Sequence, residues 1–377
     1  MNFGIFLAPF HPVGQNPALA IESDLQLIEH LDGLGFEEAW IGEHHSAGYE
    51  IIGSPEVFIA AASQRTRSIR LGTGVVSLPY HNPFIVADRI VFLDNLTRGR
   101  IMLGVGPGAL PSDAFMLGIN PNSQRFMMEQ SLEAITMLIN GEEPITMETD
   151  WFVLKNARLQ LKSYSKSIEM AVAAQVSPAG PRAAGRFGLG LLSIGATTLG
   201  GFDALSTHWS IMEQRAQEYH TTVDRNNWRL VGPVHIAESL DKARENVKYG
   251  LSDWIYYFRN VAALPLVPEG TKEEDVVDAL IETGMVVIGT PNDAIEQIYR
   301  LLDKSKGFGT FLIMATDWAN KENTFYSYEL FAKYVAPEFK DYLSKPKASM
   351  TFAQSNRSEF IGAAVNAVVN AFKTDKA

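Results

Sequence analysis

The sequence predicts an α/β fold: a (β/α)8 TIM barrel with insertions and a C-terminal helical extension. Three observations predict it. Short apolar runs recur along the 377 residues. Most are continuous rather than alternating, as strands covered on both faces read. Amphipathic helical patterns separate many of them, which is the grammar of a parallel sheet. A polar residue before proline opens such a stretch at Asn16-Pro17, Ser54-Pro55, Asn82-Pro83, Ser177-Pro178 and Thr290-Pro291. The first residue of each pair can cap free N–H groups, and proline fits the first helical position. The strand candidates suit a barrel of ~250 residues carrying insertions. No G-x-G-x-x-G follows the first strand, which weighs against a doubly wound dinucleotide fold.

The first strand candidate is Asn2–Pro9. Its helix is legible in Ile21, Leu25, Ile28, Leu31 and Leu34, spaced by three or four, with Gly35 ending the run. Glu38–Gly42 follows with the helix Pro55–Ser63, then Ile69–Ser77 with Pro83–Leu96, then Ile101–Val105. Residues 106–165 form an excursion carrying a helix, Ser123–Asn140, and a small β element, Trp151–Leu161. Glu169–Ala174, Gly190–Gly195 and Trp228–Ala237 resume the barrel. The stretch 259–284, proline-rich and then charged, is a second excursion and a candidate lid. Met285–Gly289 and Gly309–Ala315 complete the strands. The barrel is thus expected over 1–339. A tail over 340–377 ends in the Ala/Val-rich helix Glu359–Phe372, expected to dock on the barrel or on a partner subunit.

Composition narrows the chemistry. With no cysteine, disulfides, thiolate metal sites and thiol nucleophiles are excluded. Thirty-two basic against 43 acidic residues give a net charge of −11, the opposite of a nucleic-acid footprint. The apolar start MNFGIFLAPF lacks the basic flank of a signal peptide. No apolar run is long enough to span a bilayer. A cytoplasmic protein is expected.

Barrel active sites lie at the C-terminal ends of the strands. Glu43-His44-His45 ends the second strand. Adjacent histidines on a strand point to opposite faces, so one would face the site. That argues against a shared metal, and no acid–histidine set with ligand spacing appears, so no metal is expected. One histidine can move a proton near neutral pH; the alternative is a loop histidine bonded to Glu43. Ser177-Pro178-Ala179-Gly180 opens a helix and offers either a phosphate cradle or a plain cap. Arg125 is either a cationic fork for a phosphate or a solvated charge. Gly74, Gly104, Gly106 and Gly108 bare two neighbouring strand ends, for a planar ring or for tight packing at the rim. His81, His208, His220 and His235 read as structural. Trp209, Trp254, Tyr256, Tyr257 and Phe258 read as core. Asp317 and Trp318 are placed at the mouth as pocket lining.

The chain resembles the bacterial luciferase-like flavin monooxygenases. The resemblance rests on Phe3-Gly4, Gly35-Phe36, Trp40 to His45, Leu71 to Gly74, Leu78 to Pro83, Asp94 to Arg100, Val287 to Pro291 and Ser327 to Phe331. It implies a barrel that binds reduced FMN from a separate NAD(P)H:flavin reductase. With O2 the flavin would form a C4a-(hydro)peroxide that oxygenates a hydrophobic small molecule. It implies His44 as the catalytic histidine, with Glu43 beside it read as catalytic too, and Arg125 as the arginine on the flavin phosphate. Ser177 falls in the phosphate segment, and Gln175 replaces an acidic residue. Gly74-Val75 matches a pair joined by a cis peptide beneath the flavin ring. Gly106 and Pro107 stand where light-emitting members carry a cysteine and a second arginine. The chain looks closer to the branch acting on terpenes and cyclic ketones. A homodimer through the helices Pro55–Ser63 and Pro83–Leu96 is also implied. The alternatives are an F420-dependent oxidoreductase of the same fold and a non-catalytic flavin-binding barrel.

Overall fold

The computed structural model describes residues 1–8, 10–262, 271–272 and 275–374. Eight parallel strands close on themselves: β1 (Asn2–Leu7), β2 (Glu38–Ile41), β3 (Arg70–Thr73), β4 (Ile101–Gly106), β5 (Glu169–Ala174), β6 (Gly190–Ser193), β7 (Trp228–Ile236) and β8 (Thr310–Met314). The ring shuts where β1 pairs with β8, Asn2 opposite Thr310. The predicted barrel is therefore the observed one.

The strand Val287–Gly289 is not a ninth stave. It pairs with Val234–Ile236 of β7, beyond the Arg229–Pro233 stretch that β8 uses. The third strand is also shorter than predicted. β3 stops at Thr73, a cis Gly74–Val75 peptide follows, and Val76–Ser77 re-pairs with Val105–Gly106 of β4.

The helices packed around the ring are α1 (Pro17–Leu34), α2 (Pro55–Ser63), α3 (Pro83–Thr97), α4 (Pro111–Met116), α5 (Gln124–Asn140), α6 (Ala179–Phe187), α7 (Leu199–Tyr219), α8 (Leu240–Val247), α9 (Leu251–Asn260), α10 (Val276–Glu282), α11 (Pro291–Ser305) and α12 (Lys321–Leu330). The polar–proline rule holds at the starts of α1, α2, α3 and α11, whereas α6 starts one residue later than its pair predicts, at Ala179. Asn16 Oδ1 accepts from Ala18 N–H and Asn82 Oδ1 from Phe84 N–H, each at 3.0 Å. Thr290 and Asp293 form a capping box on α11. Ser54 departs in its capping: it makes no side-chain cap, and its hydroxyl bonds Glu56 at 3.0 Å. Gly35 ends α1 in the left-handed conformation at φ 81°, which glycine adopts without penalty.

The barrel interior is layered. Phe6, Trp40, Met102, Ala171, Leu192, Val231 and Leu312 point inward from seven strands. At the N-terminal end an ionic plug replaces apolar packing. The buried Arg229 guanidinium bonds Glu38 at 2.9 and 3.0 Å and also Glu169, which Arg70 pairs at 2.7 Å. Trp40 Nε1–H donates to Glu38 Oε2 at 2.9 Å. At the opposite end Ala8, Val75, Ile194 and Met314 lie partly exposed on the inward cluster. They give the mouth an apolar floor.

The excursion 106–165 holds α4, α5 and an antiparallel pair, Ile145–Glu148 with Val153–Ala157. The predicted β element caught only its second strand. Of the candidate lid 259–284, residues 263–270 and 273–274 lie outside the described residues. Helix α13 (Ala336–Phe339) ends the barrel segment, and the tail carries α14 (Ser344–Ser355) and α15 (Arg357–Thr374). The tail does not dock on the barrel: α14 has no buried residue, and Phe360, Ile361, Val365, Val368 and Phe372 of α15 are all exposed. The tail is anchored just before these helices, where Lys340 pairs with Glu37.

Candidate active site

The loop leaving β2 carries Glu43, His44 and His45, and the fold sends them in two directions. His44 Nδ1–H donates to Asp113 Oδ2 at 3.2 Å, and Nε2 lies 3.2 Å from Glu50 Oε2. The carboxylates come from α4 and from the far end of the same loop. Burial works against a charged imidazole, but Glu50 first and Asp113 after it outweigh burial. His44 therefore titrates above the ordinary histidine value. Asp113 is fully buried and accepts two further bonds, from His45 N–H at 3.1 Å and from Ser46 Oγ–H at 2.5 Å. Burial would raise its pKa; the bonds from His44 and Ser46 hold it below the usual carboxylate range. Tyr257 Oη–H donates to the other oxygen of Glu50 at 2.7 Å.

Glu43 faces the other way. Its Oε1 accepts from His45 Nε2 at 3.0 Å and from His81 Nε2 at 2.5 Å, and its Oε2 from Ser77 N–H at 2.6 Å. Burial opposes ionisation here too, but the two imidazoles win and Glu43 stays low. The hydrogen bond to Glu43 raises His45. These three side chains sit close enough to share one ion, a grouping the sequence spacing did not reveal, because His81 arrives from the next strand end. Glu43 Oε1 receives both imidazoles as donors, which closes the group on itself. His81 thus belongs to the site's frame.

The other predicted residues occupy the same end of the barrel. Val75 forms part of the apolar floor. The glycines around it are explained by packing. A Cβ on Gly74 would come within 2.9 Å of Trp40 Cβ, and one on Gly104 within 2.1 Å of the Thr73 carbonyl oxygen. One on Gly106 would meet Val75 Cγ2 at 2.7 Å, so the bare backbone there makes room for the Val75 side chain. Gln124 Nε2–H donates to the Pro107 carbonyl at 2.8 Å, which places the start of α5 at the mouth. Arg186 of α6 pairs with Glu129 and Glu133 of α5 at 3.2 and 3.1 Å, so the two helices lie side by side. The exposed Arg125 therefore stands at the same end as Gln175 and Ser177, both also exposed. Gly180 lets the start of α6 press on β5: a Cβ there would come within 2.4 Å of the Ala173 carbonyl oxygen. Ser177 Oγ accepts from Ala179 N–H at 3.3 Å.

Of the two residues expected at the mouth as pocket lining, Asp317 lines a pocket and Trp318 does not. Trp318 is fully buried and packs edge-on against Trp254, ring centroids 5.1 Å apart. Asp317 lines a side cavity of about 350 Å3 between α1 and α12, where its carboxylate accepts from His11 Nδ1 at 2.8 Å. His11 Nε2 faces Asp24 at 3.0 Å. Burial opposes the imidazolium, but Asp24 and Asp317 carry His11 up to about 10. Tyr256 is exposed rather than core. Tyr257 is core by its ring but not by its hydroxyl. Glu50, Asp113 and Tyr257 are the site residues the sequence did not disclose. A proline-led helix start such as Leu110 to Asp113 signals only a helix, and nothing local points across 69 residues to His44.

A closed βα barrel with a histidine held between carboxylates at the mouth end has the make-up of an enzyme active site. Residues 1–305 match the family described as luciferase-like monooxygenase, and the chain belongs to that family. It is 48% identical over 339 residues to limonene 1,2-monooxygenase of Rhodococcus erythropolis, covering 90% of this chain and 87% of the relative. It is 44% identical to 4-hydroxyprotoasukamycin monooxygenase of Streptomyces nodosus subsp. asukaensis, covering 93% and 95%. The oxygenating constituent of 3,6-diketocamphane monooxygenase from Pseudomonas putida, a type II Baeyer-Villiger monooxygenase solved in complex with FMN, superposes with a TM-score of 0.75. It shares 26% identity, over 89% of this chain and 98% of that one.

Proposed function

We propose that this protein is a two-component, flavin-dependent monooxygenase that uses reduced FMN and O2 to oxygenate a hydrophobic small molecule of the cyclic terpene class. The observation that carries the proposal is the mouth itself: an apolar floor of Ala8, Val75, Ile194 and Met314 flanked by a histidine held between two carboxylates. The residues suit the cofactor. A flat apolar ring system fits the floor. Arg125 makes no ion pair among the described residues, and with the N–H groups at the start of α6 and the Ser177 hydroxyl it suits a phosphate. Gln175 and the Gly74–Val75 and Gly106 backbone border the same space. The monooxygenase names of the two relatives described above and the FMN of the diketocamphane enzyme support the same reading.

When bound and reduced, the flavin supplies the oxygen-activating chemistry. This chain's residues do the rest. The apolar floor helps exclude water, which a reactive oxygen species requires. His44 holds a proton on Nε2 at the edge of the mouth and is the acid–base group for the reaction. Glu43 acts as a positioning residue, since its oxygens hold His45, His81 and Ser77 rather than His44. A separate NAD(P)H:flavin reductase delivers the cofactor. The exposed apolar residues Val57 of α2 and Ile85, Phe92 and Leu96 of α3 form the face of a homodimer.

The test is an incubation with a flavin reductase, FMN, NADH and a panel of cyclic terpenes and ketones under 18O2. One 18O atom in the product is expected. Label arriving from water instead, or turnover that requires F420 and ignores O2, would overturn the proposal.

A further inference from the structure

We infer that Glu50 and Tyr257 are positioning residues for His44, Glu50 fixing the Nε2 edge of the imidazole and Tyr257 fixing Glu50. This rests on the reading of His44 as the acid–base group, and its test separates the two.

The two carboxylates facing His44 are held differently. Asp113 is fixed by three donors: His44, His45 N–H and Ser46 Oγ–H. It needs no help from another element to stay on Nδ1. Glu50 is held at its backbone by a bridge to Phe10, which sets where its side chain begins but not where its oxygens point. The Tyr257 hydroxyl makes that choice by taking Oε1 at 2.7 Å, which leaves Oε2 for His44 at 3.2 Å. Tyr257 has little freedom of its own. Its ring packs against the stacked pair of Phe10 and Tyr49, centroids 5.4 and 5.0 Å away, and its helix is anchored by Trp254 against Trp318. Burial and then Glu50 keep the phenol protonated, so it serves only as a donor.

The consequence concerns which proton is free to move. The Nδ1 proton is committed to a fully buried, well-bonded carboxylate. The Nε2 proton faces a carboxylate pinned by one hydroxyl. Glu50, Asp113 and Glu43 are the charged groups that favour the imidazolium, with Tyr257 the neutral group behind Glu50. Of these, Glu50 is the one whose geometry depends on a single partner. A proton leaves or returns at Nε2, and α9, through Tyr257, sets how tightly it is held.

Protein labelled with 15N-histidine would be titrated by NMR, with His44 assigned by its loss in His44→Gln. Glu50→Gln should move the His44 midpoint to lower pH, and Glu50→Asp, which keeps the charge, should restore part of the shift. Tyr257→Phe should move it in the same direction by less, and should add nothing in the Glu50→Gln background. Melting curves report whether each variant is folded. An unmoved midpoint in folded Glu50→Gln would overturn the inference, as would a Tyr257→Phe effect that persists without Glu50. The pH dependence of kcat for an accepted substrate provides the second readout. If the NMR midpoint moves and the rate profile does not, the positioning role stands and the acid–base reading of His44 falls.

Discussion

His44, half-buried, and His11, buried, both lie between two carboxylates, and in both the charges outweigh the burial. The signs of their pH effects follow. A group whose pKa is higher folded than unfolded adds stability below its unfolded value, and that contribution is lost as pH rises through the folded one. For His11 the window runs from 6.5 to about 10. Thermal stability should therefore fall across this range, and His11→Gln should flatten the fall while lowering stability at neutral pH; melts in a pH series would check both. At His44, replacement by alanine should leave flavin affinity intact and abolish product formation, as equilibrium binding and turnover would report separately. Arg125→Ala should weaken FMN binding by about tenfold or more, the worth of ~1.5–3 kcal/mol for a charge-assisted bond. Of these residues, His44 was visible in the sequence because it sits beside a strand end. Glu50 and Asp113 were not, because an acid in a loop or a first helical turn reads as solvation or capping. Tyr257 reads as core because helical spacing reports where a ring goes and not where its hydroxyl points.

At the scale of elements, helix starts were the most legible features, since capping chemistry is local and the polar–proline pairs encode it. Strand partners were less so. A continuous apolar run reports burial on both faces but not which strand lies alongside, so Val287–Gly289 reads like a barrel stave although it pairs beyond β8. The break after Thr73 was hidden inside one apolar run. The ionic plug was also invisible: Glu38, Glu169 and Arg229 stand at the starts of three strands and meet only when the ring closes. Arg229→Met should remove ~3–5 kcal/mol, because Glu38 would remain buried with only the more distant Arg70, 3.8 Å away, as its cation; denaturant unfolding would measure it. Cutting the chain after Lys340, by contrast, should leave the melting temperature of the barrel within a degree or two, since α14 and α15 bury nothing against it.

For the whole molecule, repetition made the fold readable. Each βα unit is a weak signal, but eight in succession leave few arrangements other than a closed barrel. The site was half readable for the complementary reason. Strand ends are local and point to the mouth, whereas helices α4 and α9 reach it only through tertiary packing. The same scale governs association. Val57→Glu with Phe92→Glu should disperse the proposed homodimer, which sedimentation would detect as a drop to one subunit.

The central claim is that the mouth of this barrel holds reduced FMN. An anaerobic titration of the protein with reduced FMN, run beside an identical titration with F420, addresses it directly. The account predicts saturable binding of reduced FMN, retained in His44→Ala and weakened in Arg125→Ala, with no comparable binding of F420. Binding of F420 without binding of reduced FMN would contradict it.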